Sequence, residues 1–207
     1  MPSRPIRLRT AWTQAPAAAL TGLLLAVAAG GVQAGSAATL RIGGGTLYVP
    51  GTIAHAEVRA EGGTLAGDGS VLGAVVLGTG GALAPGPLAG AGTISATSLN
   101  WQPGAGVRHR LGSGDADSDH TALSGTLTRT GSGAYLFAFD DADTLPTAGT
   151  TYTLMSFAAQ SGFSASDFSY SYSGAAPALN GEFMLTDGAL LFHVTSLPVG
   201  LQSFSVD

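Results

Sequence analysis

The sequence predicts an all-β protein: a parallel β-helix, or β-solenoid, of 18-residue coils, followed by a β-rich terminal cap or a β-sandwich-like region. The first observation behind this is a repeat. Gly44-Gly45-Thr46-Leu47, Gly62-Gly63-Thr64-Leu65 and Gly80-Gly81-Ala82-Leu83 recur every 18 positions, and a period near 20 residues marks stacked coils that bury a core only jointly. The second is composition: 32 glycines and 10% charged residues among 207 describe a turn-rich chain with little surface helix. The third is that no window beyond residue 34 sustains a helical period, while alternating apolar runs recur almost to the end.

Residues 1–34 read as a cleavable export signal. Arg4, Arg7 and Arg9 form a basic start, Ala17 to Val32 an apolar stretch, and Val32-Gln33-Ala34 a cleavage motif that leaves Gly35 as the new terminus. Gly22, Gly30 and Gly31 interrupt the apolar stretch, which falls short of the roughly 20 residues of a spanning helix, so no transmembrane segment is expected in the mature chain. An uncleaved anchor is the alternative. There is no twin-arginine pair, which favours general secretion.

Of eight basic residues three fall in the signal, and all 13 acidic ones lie beyond it, leaving five against 13 and a mature net charge of −8. Such a surface argues against nucleic acid as a partner. The absence of cysteine removes disulfides, thiolate nucleophiles and thiolate metal ligands.

Residues 35–104 carry the coils. Glycine pairs turn the chain, Ile53 matches Val71 and Val58 matches Val76 at the repeat interval, and each coil is expected to pair in parallel with the next. After Pro85 the aliphatic positions Ile94, Leu99 and Val107 come about five or six residues late. The insertion is assigned to Pro85-Gly86-Pro87-Leu88-Ala89-Gly90, which has no charge and no aromatic side chain and reads as a plain loop.

Residues 105–196 form the β-rich terminal region, for which a continued coil and a separate cap both remain open. Tyr135, Phe137 and Phe139 alternate with Leu136 and Ala138, which predicts a strand buried between layers on both faces. Phe168, Tyr170 and Tyr172 alternate with Ser169, Ser171 and Ser173, giving one buried and one wet face. Phe183 to Thr186 and Ala189 to Thr195 flank Asp187-Gly188, a hairpin signal.

The order of pieces, from Gly63-Thr64-Leu65-Ala66-Gly67-Asp68-Gly69 through Gly81-Ala82-Leu83-Ala84-Pro85-Gly86 to Tyr152-Thr153-Leu154-Met155-Ser156-Phe157, resembles the carboxyl-terminal part of autotransporter-type passenger domains and related proteins with autotransporter-associated β-strand repeats. The likeness covers most of residues 39–196 and implies a secreted right-handed β-helix at or beyond a Gram-negative bacterial surface. A translocator barrel, with its many alternating strands of roughly ten residues, does not follow the passenger-like part. Residues 197–207 resemble the first strand of a following Ig-like module of larger secreted proteins.

Asp115, Asp117 and Asp119 alternate and make a weak candidate calcium site, because alternating oxygens can surround a hard cation. The EF-hand glycine and closing glutamate are missing, and a solvated acidic loop is the competing reading. Asp140, Asp141 and Asp143 read as turn residues. Arg108 and Arg110 share one strand face, with His109 on the other beside Val107 and Leu111; the arginines can hold an acidic sugar or a partner carboxylate, or answer Asp115 to Asp119. His55, His109, His120 and His193 are scattered, and His193 falls on the exposed parity of its strand. Glu57, Arg59 and Glu61 share a parity as an ion-pair row or as the carboxylate and base set of a polysaccharide lyase or hydrolase. No nucleophile elbow, phosphate loop or zinc helix motif occurs.

These readings predict a non-catalytic extracytoplasmic scaffold or adhesin-like module with no cofactor and no catalytic residue, whose partners are surface glycans or other proteins. The alternatives are a polysaccharide-acting β-helix enzyme and a truncated piece of a larger secreted protein without independent function.

Overall fold

A computed structural model describes residues 25–26, 38–176 and 178–197. Most of the expected signal, its Ala34–Gly35 cleavage position and tail residues 198–207 lie outside the described residues. The protein is all-β, with two single-turn 3-10 helices, Asp115–Asp117 and Ala165–Asp167, among the described residues. None of the described helices is long and apolar enough to cross a membrane.

The first sheet runs, in spatial order, β1 (Leu25–Ala26), β3 (Thr46–Tyr48), β6 (Thr64–Gly67), β8 (Ala82–Pro85), β10 (Gly106–Leu111), β13 (Tyr135–Asp141) and β16 (Phe168–Tyr172). The second runs β17 (Asn180–Leu185), β18 (Ala189–Ser196), β14 (Thr151–Ser156), β11 (His120–Leu123), β9 (Thr93–Trp101), β7 (Ser70–Leu77), β5 (Glu57–Ala60) and β2 (Thr39–Ile42). β4 (Thr52–Ile53) pairs with β7, and β12 (Thr126–Arg129) lies between β9 and β15 (Ala159–Ser161). The chain alternates between the sheets, and every strand pair up to β16 is parallel. Only β17 and β18 break the rule, forming an antiparallel hairpin laid on β14.

Parallel registration stacks like positions into rows. Leu47, Leu65, Leu83, Val107, Phe137 and Tyr170 form one inward row, and Leu40, Val58, Val75, Leu99 and Leu127 face it from the second sheet. Side chains grow along the first row from aliphatic to aromatic, and the first-sheet strands lengthen with them, from three residues in β3 to seven in β13. A longer strand encloses a wider interior, which larger rings must fill to keep interior density. Trp101 meets Tyr135 and Phe137 edge to face at 5.5 and 5.4 Å, and Phe139 contacts Phe192 of the hairpin at 4.6 Å.

The 18-residue interval holds for Leu47, Leu65 and Leu83 and for Ile53 and Val71, but not for Val58, which pairs with Val75 and not with Val76. The corner between Val71 and Ala74 is one residue shorter than its predecessor between Ile53 and Glu57, and the turn before Ala82 is one residue longer. Val75 and Val76 are both buried, so apolar pattern does not distinguish them. The later slip is real: Leu83 pairs with Val107, but Val71 pairs with Ala96 and not with Ile94, again because both candidates are buried.

The sheets run through residue 104 without interruption, since β10 pairs with β8, and parallel pairing continues to β16. In β13 one face alone is buried. Tyr135, Phe137 and Phe139 point inward, whereas Leu136 is 41% exposed and Ala138 half-buried, because no further layer of the described residues covers the outside of the first sheet. β16 has the predicted buried and wet faces, and the hairpin forms around Asp187-Gly188.

Candidate functional site

A trough of about 380 Å³ lies on the outer face of the first sheet. Its floor is a register row running across strands: Tyr48, Ala66, Ala84, Arg108 and Ala138 stand opposite one another on β3, β6, β8, β10 and β13. Three alanines in this row leave a channel that larger outward side chains would fill. Tyr48 stands at one end of it, and Asp140 and Ser173 lie at the other.

One wall is the insertion itself, Pro85 to Leu88. This segment has no charge of its own, and its position is fixed from the neighbouring strand of the sheet, β10. Arg110 donates from Nη2 to the carbonyls of Pro87 (3.0 Å) and Pro85 (3.4 Å), and from Nε and Nη2 to the two carboxylate oxygens of Asp119, each at 3.0 Å. Asp119 also accepts the backbone N–H of Arg110 and, at 3.0 Å, that of Gly92 at the far end of the loop. Its side chain is 2% exposed. Burial pushes the Asp119 carboxyl above the usual carboxylate range, and the bonds from Arg110 and Gly92 oppose that shift. Gly86 (φ +90°) packs against both members of the pair, and any β-carbon there would strike Arg110 and Asp119.

Arg110 and Asp119 therefore answer one another, as one sequence reading held. Arg108, on the same face, projects exposed into the trough and has no ion-pair or hydrogen-bond partner among the described residues. His109 points inward between Phe137 and Phe139, fully buried, with burial holding its pKa down to about 3.

The other sequence candidates are dispersed. Asp115 accepts from the Thr153 backbone and hydroxyl, Asp117 from the Ser113 hydroxyl at 2.9 Å, and Asp119 from Arg110, so the three carboxylates turn to three different partners. No group of three His, Cys, Asp or Glu side chains converges as metal ligands among the described residues. Glu57, Arg59 and Glu61 do form a row: Arg59 bonds Glu57 at 3.0 Å and Glu61 at 3.2 Å, and Glu61 also reaches Arg41 at 3.2 Å. Three of the four carboxylate oxygens of Glu57 and Glu61 thus face a guanidinium. Asp140 and Asp141 end β13 and do not sit in a turn; Asp141 accepts from Tyr172 and from the Ala175 backbone. His193 pairs with the Thr151 hydroxyl and His120 with Ser156, at 3.0 and 3.1 Å.

The sequence did not mark the insertion as a wall, because the residues that hold it lie more than 20 positions later. Nor did it mark Arg129, which pairs with Asp167 at 3.0 Å and lies 5.6 Å over the Tyr135 ring. Comparison with protein-family models gives no match, and comparison with curated proteins gives none either.

Proposed function

We propose that this chain is a non-catalytic, extracytoplasmic β-solenoid of the autotransporter-passenger kind, acting as a secreted or cell-surface scaffold that binds partners on its flat faces. The observation that carries this reading is the inward row from Leu47 to Tyr170, six residues on six successive parallel strands. A stack of that kind has no moving part and presents rows of outward side chains at a fixed spacing of about 4.8 Å. The occupied state of Glu57, Arg59 and Glu61 supports a structural row over a base and its neutralising partner. The signal-like start and the passenger-like repeats support export.

Expression of the full chain in a Gram-negative host, with cell fractionation and mass spectrometry of the amino terminus, tests it. The expected product begins at Gly35, lies outside the inner membrane, and releases no new ends from acidic polysaccharides. An intact Met1 in the cytoplasm, or turnover lost on Glu57→Gln, overturns the reading.

A further inference from the structure

We propose that the trough over the first sheet is a binding site for a saccharide chain carrying a carboxylate, lying along the stacking direction with its acid group on Arg108. The trough crosses five strands, so by the usual strand spacing it is about 19 Å long, enough for a short oligosaccharide and too long for a single sugar. Four of its five floor strands, β6, β8, β10 and β13, are paired on both sides, and these carry the methyl groups of Ala66, Ala84 and Ala138. An extended peptide gains most from main-chain bonds to a free strand edge, which these four strands do not provide. A sugar ring offers what the floor can use: an apolar C–H face to lie on alanine methyls, proline methylenes and the Tyr48 ring, with hydroxyls around its rim.

The polar groups sit where such a rim would meet them. Arg108, fourth of the five positions in the row, has no ion-pair partner among the described residues, and its planar guanidinium matches a carboxylate in bidentate geometry. Asp140, exposed on the neighbouring strand and outside ion-pair distance of Arg108, accepts hydroxyl protons. With Arg110 and Asp119 neutralising each other, the site has one free charge of each sign, which selects a sparsely charged chain over a dense polyanion. The wall is rigid before any ligand arrives. A six-residue departure from the repeat is pinned at Pro85, Pro87 and Gly92 by a buried ion pair, an arrangement that contributes specificity of shape more readily than stability. Preorganisation of this kind lowers the cost of binding.

This assignment rests on the scaffold reading for its location outside the cell, and the test separates the two. The purified full chain is titrated calorimetrically with tetragalacturonate, tetraglucuronate and tetramannuronate, with maltotetraose as the neutral probe and a tetrapeptide bearing a free terminal carboxylate as the competing class. At least one uronate is expected to bind. Arg108→Gln, an exposed change without packing consequences, is expected to weaken it tenfold or more, and Tyr48→Ala to weaken both that uronate and the neutral probe. Arg41→Gln, on the other sheet, is expected to change nothing. Failure of all three uronates on folded protein, binding indifferent to Arg108→Gln, or tighter binding of the peptide overturns the site. Cleavage of a bound uronate would sink the scaffold reading and leave the site standing; export without uronate binding would do the reverse.

Discussion

His109 is enclosed between Phe137 and Phe139 at ring distances of 6.3 and 6.2 Å, and neither ring nitrogen has a hydrogen-bond partner among the described residues. Burial, then the nearby charges of His120 and Arg110, lowers its pKa from 6.5 to about 3. A base whose folded pKa lies below its unfolded value stabilises the fold fully above the unfolded pKa, and that contribution is lost as pH falls from 6.5 toward 3. At roughly 1.4 kcal/mol per unit the loss is on the order of 5 kcal/mol. The urea midpoint is expected to fall across this window, and His109→Leu to flatten the decline while raising stability at neutral pH, since it also removes an unsatisfied buried polar group. Asp119→Asn takes the opposite course: it strands the Arg110 guanidinium in a partly buried position and is expected to cost about 3–5 kcal/mol in chemical denaturation. Arg110→Met combined with Asp119→Leu should recover much of that loss, because an apolar pair leaves no charge uncompensated.

At the scale of single elements, corners and turns decide register. The shortened corner of β7 brings Gly73 against the carbonyls of His55 and Ala56 on the preceding corner, where a β-carbon would overlap backbone. Gly73→Ala is therefore expected to lower the melting temperature more than Gly114→Ala, whose surroundings are open. In the hairpin neither Asp187 nor Gly188 has a positive φ, so the tight mirror-image turn common at Asp-Gly pairs is not formed. The Thr186 hydroxyl organises the turn in its place, accepting the Ala189 N–H at 2.9 Å and donating to the Ala189 carbonyl at 3.1 Å. Thr186→Val keeps the shape of the side chain and removes these bonds, with an expected cost of about 1–3 kcal/mol at roughly 0.5–1.5 per bond, measured by urea unfolding.

For the whole molecule, the question is how a stack of parallel strands ends. The β17–β18 hairpin lies antiparallel on β14, covers the β14 edge of the second sheet, and brings Phe192 and Phe183 onto the aromatic end of the core. An uncovered edge is a template for pairing with another chain. A chain ending at residue 176 should thus self-associate, seen by light scattering as a shift to higher mass, while the full chain does not show that shift. At the other end Leu25–Ala26, within the expected signal, pairs with Leu47 and Tyr48 of β3. Cleavage at Ala34 would free that edge.

The sequence alone determined that the chain is all-β, which glycine pairs precede the early first-sheet strands, and which face of β16 is wet, because glycine pairs and period-two alternation act through local backbone sterics. The Gly-Gly-Thr-Leu repeat placed three first-sheet strands, and the Asp-Gly signal placed the hairpin. Tertiary structure alone decided the rest. Val58 opposes Val75 because two neighbouring valines are both covered, and pattern is blind where burial is uniform. β13 is covered on one face because no layer of the described residues lies outside the first sheet, which hydrophobicity on both parities could not reveal. The trough joins an uncharged loop, an arginine more than 20 residues later and alanines from three separate strands. Its parts meet only when parallel stacking converts distance along the chain into adjacency across it.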